Sequence, residues 1–169
     1  MKIEFMSSDH WSQVKEIYQE GINTGNATFE EYPPETWQEW SEKFLLSCSL
    51  VCIDDSKVVG WGAISPVSSR CVYQGVGEVS VYVAQEFKRQ GIGFALLNEL
   101  IHESEGHGIW TLQAGIFPEN QASLDLHEEL EFEIVGTRKK LGKMSYGPYH
   151  GQWRDVVLLE RRSTIVGSK

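Results

Sequence analysis

The stretch GVGEVSVYVAQEFKRQGIGFALLNELIHESE, residues 75–105, limits the possible folds more than any other part of the chain. It opens with apolar residues in alternation, the pattern of a half-buried strand, and closes with Leu96, Leu97, Leu100 and Ile101 on one helical face. Between the two stands Lys88-Arg89-Gln90-Gly91-Ile92-Gly93, a cationic turn whose glycines fall where the helix begins. The first amides of a helix have no internal acceptor, and the helix dipole favours negative charge beside them. Glycine removes the side chains that would hold a bulky anion away from those amides. The turn reads as an anion site suited to a pyrophosphate, although a lone G-x-G also serves a plain strand-to-helix connection. It matches neither GxGxxG nor GxxxxGK[ST], so neither dinucleotide-binding nor P-loop chemistry is indicated.

The rest of the chain surrounds this unit with short elements. KIEFM alternates as a first strand, and Ser7 or Ser8 caps a helix carrying Trp11, Val14, Ile17, Tyr18 and Ile22. After the loop NTGNATFEEYPP a second helix holds Trp37, Trp40 and Phe44. LVCID, the turn DDSK and VVGWGAIS predict a hairpin whose sheet continues into GVGEVSVYVA across the connection PVSSRCVYQ. Beyond the glycine-started helix come the strand IWTLQAGIF, a helix in PENQASLDLHEELEF, and the strands FEIVGTRKKL and WRDVVLLER. This order predicts an α/β (α+β) domain with a mixed sheet of about seven strands and about four helices, not a regular βαβ repeat. A chain of 169 residues without a linker or low-complexity stretch is expected to form a single domain over residues 1–169.

Charge and cysteine usage exclude several partners. With 15 Lys and Arg against 24 Asp and Glu the net charge is −9, which repels nucleic acid and anionic membrane over most of the surface. Cationic residues cluster only at Lys88 and Arg89, at 138–140 and at 161–162, so an anion site has to be local. Cys48, Cys52 and Cys71 have neither redox nor zinc-ribbon spacing and read as idle thiols of a reducing compartment. No histidine lies at ligand spacing from Cys, Asp or another His, and no metal is expected. Without a signal-like or membrane-length apolar run, the chain is expected to be cytoplasmic.

VYV ahead of the turn, KRQGIGFALL at it and NQASLDLHEELEF one strand later resemble the acetyl-coenzyme A (acetyl-CoA) signature of the GNAT N-acetyltransferase superfamily. The resemblance implies a single GNAT domain with acetyl-CoA as co-substrate. Its Q/R-x-x-G-x-G/A segment, whose amides cradle the cofactor pyrophosphate, falls on Lys88, Arg89, Gln90, Gly91, Ile92 and Gly93, with lysine where Gln or Arg is usual. Its later N-x-x-S motif falls on Asn120, placed by the resemblance at the pantetheine arm, and Ser123, with Glu131 where a glycine is usual before Phe132. A strand amide near the cofactor, that of Val81 or of Val83, is implied as donor to the thioester carbonyl.

IYQEGINTGNATFEEYPP, SPVSSRCVYQGVGEVSVYV and WRDVVLLER further resemble the phosphinothricin acetyltransferase branch, whose members acetylate the α-amine of phosphinothricin, methionine sulfoximine, methionine sulfone or related amino acids. The branch implies Glu78 as the base that takes the amine proton, supported by its position as a lone carboxylate among apolar and small strand residues. His127 stands where many superfamily members carry a proton-donating tyrosine, and a structural histidine is equally compatible with the sequence. Arg70 and Tyr73 match the branch's substrate loop, with Arg70 suited to a carboxylate, and Phe29 would shape the other wall. Homodimers are common in the branch. The rivals are a GNAT enzyme for another amine, such as a polyamine, an aminoglycoside or a protein N-terminus, and a non-catalytic acyl-CoA-binding sensor.

Overall fold

The periodicities convert into eleven main elements in a computed structural model that describes Met1 to Lys169: β1 (Lys2–Phe5), α1 (Trp11–Asn23), α2 (Trp37–Lys43), β2 (Ser49–Asp54), β3 (Lys57–Pro66), β4 (Val76–Val83), α3 (Ile92–Gly106), β5 (Thr111–Ile116), α4 (Gln121–Glu129), β6 (Glu133–Lys143) and β7 (Trp153–Arg162). The seven strands form one sheet in the order β1-β2-β3-β4-β5-β7-β6, the α+β arrangement that the sequence predicts. Every neighbouring pair is antiparallel except β4 and β5, which run parallel. Asp55 and Ser56, at φ 48° and 66°, form the tight β2–β3 turn with the left-handed backbone that such hairpins require. Thr36 starts α2 by accepting a hydrogen bond from the Glu39 amide at 3.1 Å, and Phe44 falls just past the helix in extended backbone.

The sheet separates two apolar layers. Strand alternation sends Val79 to the face covered by α3 and α4, where Leu96, Leu97, Leu100 and Leu124 meet Leu112 and Leu159. Trp61 and Tyr82 point to the other face, where α1 and α2 bring Val14, Ile17, Tyr18 and Trp40. Trp61 is fully buried against the rings of Tyr18 and Tyr82, at centroid distances of 5.3 and 4.8 Å, and the two tyrosines also stack on each other at 4.9 Å. This sandwich of helices on a half-open sheet fixes β4, the strand on which the site depends. No helix is long and apolar enough to cross a membrane.

Glu131 holds the turn that a glycine holds in the resembled motif. It adopts φ 68°, and the Phe132 amide reaches back to the His127 carbonyl at 3.0 Å, closing α4 with a left-handed residue and a bond typical of glycine-capped helices. The tight turn therefore forms without the glycine, at a backbone cost of roughly 1–2 kcal/mol for a left-handed residue with a side chain. The Glu131 side chain, 83% exposed, lies 3.8 Å from Arg161, a contact worth little in water. Glu131→Gly is expected to stabilise the protein by about 1 kcal/mol, read as a rise in Tm of roughly 2–4 °C. An unchanged or lower Tm would mean that the strain is absorbed elsewhere.

Candidate active site

Parallel pairing between β4 and β5 ends early. Val76, Gly77 and Glu78 pair with Thr111, Leu112 and Gln113, and the two strands then part. The opening continues as a cleft of about 970 Å³, bordered by the far half of β4, the N-terminus of α3, the start of α4 and the loop after α1. The carbonyls of Gly75 and Val76 set the strand's parity: Gly75 accepts from Trp110 and Thr111 on the β5 side, and Val76 from Val67 on the β3 side. Odd-numbered residues of β4 thus aim their backbone groups towards β5. Past Glu78 those of Val81 and Val83 have no strand to meet and open into the cleft.

At one end of the cleft the glycine turn takes its shape. Arg89 at φ 63° and Gly91 at φ 81° bend the chain into α3, whose first residues line the opening and whose first internal bond runs from the Ala95 amide to the Gly91 carbonyl. The amides of Ile92, Gly93 and Phe94 are thereby left for an outside acceptor. A Cβ on Gly93 would lie 3.3 Å from Leu126, so glycine also lets α4 approach α3 closely. Lys88, Arg89, Gly91, Ile92 and Gly93 all border the cleft, while exposed Gln90 does not. Free amides, two cations and no intruding side chain make a good fit for a pyrophosphate. Asn120 and Ser123 also border the cleft: the Asn120 side-chain Oδ1 caps α4 by accepting from the Ser123 amide at 3.3 Å.

Glu78 stands where the strands part. Its side chain is half-buried, and its Oε1 accepts a hydrogen bond from Gln113 Nε2 at 3.2 Å. Gln113 was not singled out from the sequence, yet a single amide in the apolar strand IWTLQAGIF was the available signal. Ser80 and Tyr82 follow on the same strand face, and burial raises the phenol of Tyr82 far above its usual range. Phe29 packs edge-on against Phe117 at 5.0 Å, and both line the opposite wall.

His127 also borders the cleft and is 5% exposed. Its Nδ1 lies 2.7 Å from the Ser123 carbonyl, which can only accept, so Nδ1 carries the proton and Nε2 is left as an acceptor. Burial lowers its pKa from the ordinary 6.5, and the Ser123 carbonyl offsets this in part. A neutral ring whose one N–H is already engaged is poorly placed to donate a proton, which favours the structural of the two roles that the sequence leaves open for His127. Because the folded pKa lies below the unfolded one, the unfolded chain takes up the proton first. The contribution is fully present above pH 6.5 and is lost as pH falls through the folded value. His127→Gln, with an amide able to reach the same carbonyl, is expected to flatten the loss of unfolding free energy between pH 7 and 5 in denaturant titrations. Parallel pH profiles for the two proteins would refute this.

Arg70 and Tyr73 do not join the others. Both are exposed in the connection between β3 and β4, with the guanidinium 5.4 Å from the tyrosine ring, and neither borders the cleft. Nothing in the chain gathers three or more His, Cys, Asp or Glu side chains into a group able to hold a metal.

Comparison with known proteins finds relatives in both sequence and fold. The chain is 32% identical over 165 residues to a phosphinothricin N-acetyltransferase of Alcaligenes faecalis, covering 94% of this chain and 81% of that one. It is 26% identical to the L-amino acid N-acyltransferase MnaT of Escherichia coli, over 95% and 92% of the two chains. A crystal structure of a phosphinothricin acetyltransferase from Sinorhizobium meliloti in complex with acetyl-CoA superposes with a TM-score of 0.87 at 27% identity, covering 99% of this chain and 91% of that one. The acetyltransferase (GNAT) family model matches residues 11–132, so this chain, an acyltransferase by fold and by relatives, belongs to the GNAT family.

Proposed function

We propose that this protein transfers the acetyl group of acetyl-CoA to the α-amine of an amino-acid-like acceptor, both substrates being bound at once. The observation that carries the reading is Glu78, a lone carboxylate held by Gln113 at the point where β4 and β5 part, in the same cleft as the open α3 amides. Acetyl-CoA supplies an activated acetyl thioester. The α3 amides with Lys88 and Arg89 hold its pyrophosphate, and Asn120 with Ser123 borders its arm. The Val81 or Val83 amide donates to the thioester carbonyl oxygen, where negative charge develops. Glu78 takes the proton released as the amine nitrogen bonds to the acetyl carbon and the carbon–sulfur bond breaks. The thiolate then leaves towards solvent, since His127 offers no free proton near neutrality.

The names of the relatives, phosphinothricin N-acetyltransferase and L-amino acid N-acyltransferase, support an acceptor of amino-acid type. Arg70 is tied to the acceptor carboxylate by resemblance to the branch alone, since its guanidinium lies outside the cleft lining. A second reading, a cationic amine as acceptor, is favoured by composition: apart from Lys88 and Arg89, the acidic or basic side chains of Asp, Glu, Lys or Arg type that line the cleft are the carboxyls Glu30 and Glu78. Thiol release from acetyl-CoA with phosphinothricin, methionine sulfone, methionine sulfoximine, the common amino acids and spermidine separates the two. Turnover with the methionine analogues, and a raised acceptor KM in Arg70→Ala, would support the first. Turnover with spermidine alone would move the assignment to the second, and cofactor binding without turnover on any amine would point to a sensor.

A homodimer is proposed from a separate feature. β6 is exposed along nearly its whole length, and Ile134, Val135 and Trp153 on the β6–β7 hairpin are each more than half exposed. Light scattering at micromolar concentration tests it, a monomer mass being the contrary result.

A further inference from the structure

The one fully ionised side chain buried in this protein is Arg154, 3% exposed, near the start of β7. Its guanidinium lies flat between two rings, 3.5 Å from the centre of Phe117 and 3.9 Å from that of Tyr149. Nη1 donates to the Gly25 carbonyl at 2.5 Å, and Nη2 donates to Asn26 Oδ1 at 2.9 Å and to Glu119 Oε2 at 3.2 Å. Its Nε has no partner. A single half-exposed carboxylate is modest compensation for a buried guanidinium, and apolar residues of similar size often serve stability as well or better. The location of its contacts offers another reason for the residue.

Two chain segments meet on Arg154, and both border the cleft. One is the loop after α1, which presents Asn26, Thr28 and Phe29 to the acceptor end. The other is the turn into α4, which presents Phe117 and Asn120. They also touch directly, the Asn120 Nδ2 donating to the Asn26 carbonyl at 3.1 Å, and Tyr146 Oη ties the loop a second time by donating to the Thr28 carbonyl at 2.7 Å. Arg154 does not border the cleft itself, and its Nη donors are engaged within the protein. A planar fork stacked between rings resists rotation and fixes the two segments at a set spacing.

We propose that Arg154 is a positioning residue for the acceptor: it fixes the Gly25–Phe29 loop against the start of α4 and so sets the width of the acceptor end of the cleft. The proposal rests on the reading of that end as the amine site. A loop held in its binding conformation needs no ordering when the acceptor arrives, so loss of the clamp falls on acceptor affinity. The pyrophosphate turn, on α3, has no contact with the clamp.

Steady-state kinetics with the best acceptor of the panel and hydrogen exchange test this together. Arg154→Met keeps an unbranched side chain between the two rings and is expected to raise acceptor KM about tenfold or more. Over the same comparison kcat should change less than about threefold, and the KM for acetyl-CoA should rise less than the acceptor KM, since the one link from the clamp to the cofactor side is the Asn120–Asn26 bond. Arg154→Lys keeps the charge without the fork and is not expected to restore KM. Glu119→Gln, outside the cleft lining, leaves Arg154 in place without its carboxylate and is expected to raise acceptor KM about threefold if the Met variant fails to fold. Exchange at the amides of residues 25–29 should rise in Arg154→Met while β7 and α3 stay protected. That readout needs no acceptor, so it stands even if no amine in the panel is acetylated. A lower Tm with unchanged acceptor KM, or exchange spread evenly over the sheet, would overturn the proposal and leave Arg154 a structural residue.

Discussion

Glu78→Gln is expected to lower kcat by between about 10² and 10⁴, the range for removal of a general base, with the Kd for acetyl-CoA unchanged. Glutamine has nearly the same shape and can still meet Gln113 by turning its amide, so the end of β4–β5 pairing should keep its geometry. The carboxylate is not needed for pairing, since Ser65, Glu78 and Gln113 are aligned by backbone register. What disappears is an acceptor for the amine proton. The chemical step suffers while the pyrophosphate turn at the far end of the cleft does not. A second variant, Gln113→Leu, removes the one side chain that orients the carboxylate, and a smaller fall in kcat, of about tenfold, is expected. Equal activity in Glu78→Gln and wild type would end the base assignment and leave Glu78 a strand residue. The supporting pattern is a lost kcat with retained cofactor affinity, because misfolding would lower both.

Glu78 and the glycine turn stand out in the sequence as candidates for a physical reason: each breaks a local pattern. A carboxylate among the apolar and small residues of GEVSVYV stands out from its strand pattern, and a pair of glycines at the first positions of a strongly periodic helix marks a turn where a side chain is unwelcome. Strands and helices follow from their periods, and even the Glu131 turn can be placed, although nothing in the local residues signals that a glutamate would accept φ 68° there. Arg154 was not readable. Its position in WRDVVLLER alternates as an ordinary strand residue, and its burial depends on Gly25 and Asn26, which lie 129 and 128 positions away. Gln113 is intermediate: its oddity in an apolar strand is local, but its bond to Glu78 needs the parallel register across 35 positions. The exposed placement of Arg70 and Tyr73 likewise follows from the path of a long connection, which has no period to read.

Gly91→Val is expected to raise the Kd for acetyl-CoA tenfold or more, a loss of at least about 1.4 kcal/mol of binding free energy. No atom lies within 4 Å of where a Cβ on Gly91 would sit, so the uncomplexed protein has room for the new side chain and suffers mainly through its backbone. At φ 81° that strain is roughly 1–2 kcal/mol, enough to lower Tm by several degrees in a domain of this size. Gly91 borders the cleft beside Ile92 and Gly93, so a valine side chain there is expected to crowd a pyrophosphate held by their amides. Gly108, at φ 78° beyond the other end of α3 and equally free of neighbours, separates the two effects. Gly108→Val should show a comparable fall in Tm with an unchanged Kd, because it lies about 20 Å along the helix from the turn. Lys88→Ala removes charge without filling the space, and a weaker, salt-sensitive loss of about threefold is expected. If Gly91→Val bound acetyl-CoA as tightly as Gly108→Val, the open amides of α3 would not be the phosphate site, and the glycines would serve only the turn and the close packing of α3 on α4.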